Sequence, residues 1–333
     1  GHKGFSERIV TAPVSPRGQK FFIKTPYATS VASPTTIAPS PIRRQTALNE
    51  EPAIPLIYGF VYATDLELGL LCVFGGTLLD GNPLNNFIDH ELNTIFNPDG
   101  LLDGAMKVTI VGQYAYVCCD KGLVVIDVSH PPKPKVVSVI EQGINMPRSV
   151  EVQFQYGFLC DKDGVKILDT TDISKPKLIT TVPLADAKNI YVARTYAYVS
   201  AGHQGLVILD VKNPTKPVID QVYNAGGKIS DLHDVQLGIT NVSAFAYLAD
   251  GHNGFHVVQL TNANRPDNNG FSPRPLPELI ASYALPHHGS ALSISKGIDR
   301  DRAVDESGNQ IAVFGRIGAR PLNRLEENIY LRN

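Results

Sequence analysis

The sequence contains no tryptophan, and none of its four cysteines forms a Cys-x-x-Cys or Cys-x-x-Cys-His motif. The chain therefore encodes neither a zinc ribbon nor a covalent c-type haem site, and the missing Trp counts against repeats with a Trp-Asp signature. No apolar run reaches the ~18 residues that a transmembrane helix needs. Gly-x-Ser-x-Gly, P-loop and dinucleotide fingerprints are also absent, so no motif marks a nucleophile with its base.

Excess charge of either sign is missing too. The chain has 30 Lys and Arg against 32 Asp and Glu, a formal net charge of −2. Because no overall basic field is present, we predict no nucleic-acid partner. The 333 residues include 24 Pro and 28 Gly, which is typical of many short strands joined by turns. Composition therefore favours an all-β protein.

One sequence pattern recurs along the chain. It is clearest as YAYVSAGHQGLVILDVKNPTKP from Tyr196. Close copies are YAYVCCDKGLVVIDVSHPPKPK from Tyr114, YGFLCDKDGVKILDTTDISKPK from Tyr156 and FAYLADGHNGFHVVQLTNANRP from Phe245. Each copy has an aromatic-rich run, a polar turn that ends in Gly, an apolar run and a turn closed by Pro. Repetition at roughly forty-residue spacing indicates a solenoid, a propeller or an array.

The number of strands in each repeat separates these architectures. From Lys107 the chain reads KVTIVG, YAYVCCD, LVVIDVS and VVSVIE, four β-rich runs separated by turn residues. Four strands in roughly 40 to 45 residues is typical of a propeller blade. The repeats align on turn glycines, with Gly308 as a candidate sixth: Gly69, Gly122, Gly164, Gly205 and Gly254. We predict an all-β propeller of six to seven four-stranded blades, in which the N-terminal segment supplies strands for a seventh blade or for closure.

The ends of the chain differ from the repeats. Residues 1–54 are rich in Pro, Ser and Thr, so we predict an irregular, extended N-terminal arm. This arm either lies on the main domain as a strap or wraps a partner. We assign residues 55–320 to the propeller, with insertions at 80–105 and 262–280, and residues 321–333 to a short helix or tail.

The repeated words GLVVIDVSHPPKP, GVKILDTTDISKP, GLVILDVKNPTKP and GFHVVQLTNANRP resemble the LVIVD-repeat family of bacterial and archaeal β-propellers. The resemblance is clearest across residues 107–260. It implies an exported protein, periplasmic or at the cell surface, because most members are found there. Some members resemble modules that accompany multihaem c-type cytochromes. This chain has no haem motif, so the resemblance implies no cofactor of its own and haem only through a partner chain.

Ligands of propellers usually bind at the mouth of the central channel, where the innermost strands begin or end. The residues that precede or open these strands are candidates for such a site: Lys107, Arg148, Lys188, His233, Asp234 and His288. A ring of cations would bind an anion or a carboxylate of a partner chain. The alternative is that these residues are solvated strand ends.

Asp231, His233 and Asp234 form the densest group of reactive side chains in the sequence. With His287 and His288 from the next blade, they would ligate a metal or act as an acid/base pair. Asp and His also bond readily to nearby backbone, which leaves a structural role open. The sequence favours a non-catalytic scaffold or accessory subunit that binds another protein in an exported complex. The alternative is a metal-binding or enzymatic propeller that uses these five residues.

Overall fold

The computed structural model describes residues 23–34, 55–75, 91–239, 243–262, 264–265, 270–295, 316–317 and 320–321. The chain forms two compact units. Unit 1 comprises Gly1–Val117, Val124–Val137 and Ile298–Asn333, and unit 2 comprises Cys118–Leu123 and Ser138–Gly297.

The described residues form five four-stranded sheets, and in each sheet four consecutive strands lie side by side in chain order. We call these sheets blades 1 to 5. Blade 1 contains β1 (Ala28–Ala32), β2 (Phe60–Asp65), β3 (Gly69–Phe74) and β4 (Thr94–Phe96). Blade 2 contains β5 (Lys107–Val111), β6 (Tyr114–Cys119), β7 (Gly122–Asp127) and β8 (Lys135–Ile140).

Unit 2 holds the other three blades. Blade 3 contains β9 (Ser149–Gln153), β10 (Tyr156–Asp161), β11 (Gly164–Asp169) and β12 (Lys177–Pro183). Blade 4 contains β13 (Asn189–Ala193), β14 (Tyr196–Ser200), β15 (Leu206–Asp210) and β16 (Val218–Tyr223). Blade 5 contains β17 (Asp234–Ile239), β18 (Ala244–Ala249), β19 (Phe255–Gln259) and β20 (Glu278–Tyr283). A two-residue pair, β21 (Arg316–Ile317) and β22 (Arg320–Pro321), follows. Short 3-10 segments lie at Leu56–Gly59, Pro98–Gly100, Ala225–Gly227 and Pro286–His288.

The predicted all-β propeller fold with four-stranded blades is confirmed. The predicted count of six to seven blades is wrong for the part of the chain that the structure describes, which contains five. One reason lies in the N-terminal segment, because β1 pairs with β2 and completes blade 1 instead of adding a blade. The repeat that we expected around Gly308 lies outside the described residues.

The apolar runs of the sequence become the central strands of the blades. Nearly every residue of β6 and β7 is buried, whereas β16 at the edge of blade 4 is mostly exposed or half-buried. Successive side chains of β15 serve different neighbours: Val207 joins a cluster with Ile167 of blade 3, and Ile208 joins a cluster with Val235 of blade 5. Because side chains alternate across a strand, both faces of β15 are covered, which explains a continuous apolar run instead of an alternating one.

The cysteines belong to this core. All four are buried thiols. Burial raises the pKa of the Cys72 thiol and of the Cys160 thiol to about 12. Since the thiolate is the reactive form, these two side chains act as small buried apolar groups at neutral pH.

In three blades a fully buried aspartate stands at the end of the second strand or directly after it: Asp65, Asp161 and Asp250. Each carboxylate accepts backbone hydrogen bonds from the segment that leads into the first strand of its own blade. Tyr27 donates to Asp65 at 2.7 Å, Asn145 to Asp161 at 2.9 Å, and Asp231 to Asp250 at 2.7 Å. The aspartate therefore ties the start of a blade to its central hairpin.

We predict that unit 1 becomes less stable in acid because Asp65 is protonated there. Burial alone would raise the pKa of this carboxyl, but hydrogen bonds from Thr25, Leu68, Glu67 and Tyr27 outweigh it and lower the pKa from 3.8 to about 2. A group with a lowered pKa in the folded state stabilises the fold above its unfolded pKa, and this contribution disappears as pH falls toward 2. We expect the melting temperature to fall between about pH 4 and pH 2, and Asp65→Asn to reduce this dependence.

Thermal unfolding monitored by circular dichroism over this pH range tests the expectation. Asp120→Asn, which alters an exposed carboxylate in the hairpin of blade 2, is the control. Equal pH dependence in the wild type and in Asp65→Asn would contradict it.

Candidate functional site

The first strands of blades 3, 4 and 5 lie next to one another in unit 2, with β13 in contact with both β9 and β17. Arg148, Lys188 and His233 each precede one of these strands by one residue. Their backbone amides all bond back to the second strand of the same blade: Arg148 to Cys160, Lys188 to Ser200 and His233 to Ala249, at 2.8 to 2.9 Å. The repeat thus places three sequence-predicted residues in equivalent positions on adjacent blades.

Two aspartates lie between these side chains. Arg148 Nη1 is 2.8 Å from Asp186 Oδ1, and Lys188 Nζ is 3.6 Å from Asp186 Oδ2. Lys188 Nζ also lies 3.8 Å from Asp231 Oδ1, which is 3.1 Å from His233 Nε2. We call Arg148, Asp186, Lys188, Asp231 and His233 the charge row. Each acid precedes by two residues the basic residue of its own blade and contacts the basic residue of the preceding blade.

The charge row is accessible to solvent. Its side chains are between 20% and 39% exposed. Ion pairs at this exposure contribute about 0–1 kcal/mol each, so fold stability alone gives little reason for four interlocked charges beside an imidazole. The arrangement instead holds long side chains in fixed positions at the surface, where a ligand can contact them.

A second layer of polar residues lies beneath the row. Asn189 and Asp234 open β13 and β17, and both side chains are buried. Asn189 Nδ2 donates to Asp234 Oδ1, which also accepts the amide of Val235 at 2.8 Å. The other carboxylate oxygen of Asp234 accepts the amide of Ile294 at 2.8 Å. The carboxylate of Asp234, a predicted channel-mouth binding candidate, makes all three of these contacts within the protein, and its binding role stays a prediction.

The hairpin glycines of blades 4 and 5 make room for the two acids. Gly202 pairs with Leu232, and Gly251 pairs with Ala291 in isolated β-bridges. A Cβ atom on Gly202 would overlap Oδ2 of Asp186, and one on Gly251 would overlap Oδ2 of Asp231. Only glycine permits this contact, so these hairpins fix the positions of the acids.

The same bridges show where the row ends. Since Ala291 pairs with Gly251 as Leu232 pairs with Gly202, Ser290 and Leu292 occupy the positions of Asp231 and His233. The register therefore places Leu292, and not His288, at the position equivalent to His233.

His287, predicted as a weak metal candidate, is exposed in the 3-10 segment Pro286–His288. The structure does not describe the side chain of His288. Lys107 opens β5 in unit 1.

Asp186 was missed by the sequence analysis, although a signal was present. Asp186 and Asp231 both stand two residues before a basic side chain, in Asp-Ala-Lys and Asp-Leu-His. The corresponding segment of blade 3 is Met-Pro-Arg, which has no acid at this position. The shared Asp two residues before a basic residue is therefore visible only when blades 4 and 5 are aligned on their first strands. The binding role of the predicted residues stays a prediction, but the geometry shows that three of them share one surface.

Metal binding at Asp231, His233 and His287 also stays a prediction. In the described ranges, no three His, Cys, Asp or Glu side chains are placed to hold a metal ion together. Within the same ranges, no helix has both the length and the apolar character needed to cross a membrane.

Comparison with known proteins agrees with the repeats. The family model of the LVIVD repeat matches residues 104–140 and 185–225, which contain blades 2 and 4. This match confirms the resemblance, and the chain carries LVIVD repeats. No protein with a curated description matches the sequence.

Among solved structures, the chain is similar to the computationally designed protein Ika8, with 9% identity over 81% of this chain and a TM-score of 0.47. It spans 65% of the length of that protein. It is also similar to the β-propeller domain of Cps50 (Swd1) from Myceliophteria thermophila, with 9% identity over 78% of this chain and 74% of that chain, and a TM-score of 0.47.

Proposed function

We propose that this protein is a non-catalytic scaffold or accessory subunit that binds another protein through the charge row. The observation that carries the proposal is the row itself, in which Arg148, Lys188 and His233 alternate with Asp186 and Asp231 at the starts of three adjacent strands. Fixed, partly exposed charges of both signs suit recognition by a surface with the complementary pattern. A propeller with LVIVD repeats is consistent with such an interaction role.

The pairing within the row favours a protein over a small anion. Arg148 and Lys188 each have a carboxylate within 4 Å, so a small anion that approaches either cation also meets a negative charge. A protein partner can offer both an acid to the cations and a base to the aspartates. It therefore complements both signs of charge in the row.

The finer features of this proposal come from the family resemblance. We propose that the protein is exported, and that its partner is a multihaem c-type cytochrome in an electron-transfer complex. Any haem would then be bound by the partner chain. Capture of the partner on immobilised protein, followed by haem absorbance spectroscopy of the captured fraction, tests the partner class. A captured protein without haem would remove the cytochrome from the proposal but would leave the scaffold role intact.

Charge reversal in the middle of the row gives the main prediction for binding. We expect Lys188→Glu to weaken partner affinity by at least about tenfold, because the new carboxylate would lie against Asp186 and Asp231 and repel the acid that the partner presents. Affinity for the purified partner is measured by surface plasmon resonance, with circular dichroism to verify folding. Lys228→Glu makes the same charge change at an exposed site outside the row.

Equal loss of affinity in both variants would mean that net charge, and not the row, controls binding. A purified protein that captures no partner and turns over a small substrate would overturn the scaffold role altogether.

A further inference from the structure

Two blades place a basic side chain in the core, at the same position of the repeat. Lys166 stands two residues after Gly164, and His256 stands two residues after Gly254. The two basic residues are 5% and 4% exposed. Lys166 Nζ lies 3.6 Å from Asp161 Oδ2, and His256 Nε2 lies 3.3 Å from Asp250 Oδ2. Blade 5 therefore repeats the buried pair of blade 3 with histidine, a side chain type that exists in neutral and protonated forms.

The acid that His256 contacts is connected directly to the charge row. Asp250 accepts the backbone amides of Ser230 at 3.2 Å and Asp231 at 2.7 Å. Asp231 is the acid that contacts Lys188 and His233. Two hydrogen bonds therefore link Asp250 to the segment that positions the row.

Hydrogen bonding at His256 is satisfied in both protonation states. Nδ1 lies 2.8 Å from Oγ of Ser282 on β20, and a hydroxyl can donate to the neutral ring or accept from the charged ring. The residue opposite His256 on β18 is Leu248, which is apolar. Asp250 is the charged group that these contacts place against the ring. Protonation changes the charge of the pair without removing a hydrogen bond.

We infer that His256 is a pH-responsive switch that tightens the Ser230–Asp231 segment when protonated and loosens it when neutral. Protonated His256 gives the buried Asp250 carboxylate a counter-charge, as Lys166 does for Asp161 in blade 3. Neutral His256 leaves Asp250 held by hydrogen bonds alone. The consequence for partner recognition rests on the proposed role of the charge row, whereas the switch itself does not.

Amide hydrogen exchange of the peptide that covers residues 229–234 tests the switch without any partner. After correction for the intrinsic pH dependence of exchange, we expect protection in the wild type to fall about tenfold between pH 5.5 and pH 8. His256→Lys should remove this pH dependence and keep protection high. His256→Gln should remove it and keep protection low.

The reciprocal substitution in blade 3 tests whether the effect comes from the charge of the buried base and not from altered packing around His256. Lys166→His should make protection of the segment around Asn145, whose amide bonds to Asp161, newly dependent on pH. Wild-type protection that is the same at both pH values, or pH dependence that persists in His256→Gln, would overturn the inference. Because partner binding is not measured, failure of the switch is distinguishable from failure of the scaffold proposal, which the Lys188→Glu comparison decides.

Discussion

Replacement of Lys166 with Met is expected to lower the free energy of unfolding by about 3 kcal/mol. The Asp161 carboxylate is 0% exposed and accepts the amides of Asn145, Asp163 and Gly164 at 2.9 to 3.1 Å. These bonds orient the carboxylate, but Lys166 is the cation beside it, at 3.6 Å. Methionine fills a similar volume and leaves the negative charge buried without its counter-charge.

Urea denaturation measures the loss, and Lys175→Met provides the control, because it removes an exposed lysine from the same blade. The control should change stability by less than about 0.5 kcal/mol. Combining Lys166→Met with Asp161→Asn should recover part of the loss, since the uncompensated charge is then absent. A single-variant loss below about 1 kcal/mol would show that hydrogen bonds alone sustain the buried carboxylate.

Gly164→Ala is expected to be still more damaging, at about 4 kcal/mol or complete loss of the folded state. Gly164 has a φ of +143°, a conformation that residues with a Cβ atom rarely adopt. An added Cβ would overlap the carbonyl oxygen of Val182 and lie 2.6 Å from the amide nitrogen of Leu184. Both are backbone atoms of the segment beside the hairpin, so they cannot move away as a flexible side chain would.

Gly112 provides a comparison in which the close approach is absent. Gly112 also has a positive φ, of +55°, but nothing lies within 4 Å of the position that its Cβ would occupy. Gly112→Ala should therefore lose only the roughly 1 kcal/mol of left-handed strain. Similar losses for the two variants, measured by thermal and urea unfolding, would show that backbone conformation and not the close approach makes Gly164 necessary.

The repeats carried enough information to predict the strands and the hairpins. Gly69, Gly122, Gly164, Gly205 and Gly254 all have positive φ, as expected for the turn that aligns the copies. Blade count was harder, because a strand can join a blade from a distant part of the chain. β1 ends at Ala32 and its neighbour β2 begins at Phe60, and nothing in the local sequence of β1 specifies that pairing.

The candidate site was only partly predictable for a related reason. Basic residues before the first strands are visible in the sequence, but their neutralisation by acids of the next blade depends on contacts between repeats. Lys166 illustrates the same limit. Lys166 lies in the segment GVKILD, an apolar run with one lysine. Only the folded hairpin shows that Asp161 lies beside the buried ammonium group and balances its charge.

The bridges that join Gly202 to Leu232 and Gly251 to Ala291 have a consequence for how the protein assembles. The first bridge makes the central hairpin of blade 4 a template for the segment that begins blade 5, and the second joins the hairpin of blade 5 to the segment that follows that blade. Stability in such an array depends on nearest-neighbour coupling, so an ordered blade lowers the barrier to ordering the next one. During synthesis blade 4 emerges from the ribosome before blade 5, and the direction of the bridges therefore matches the direction of translation.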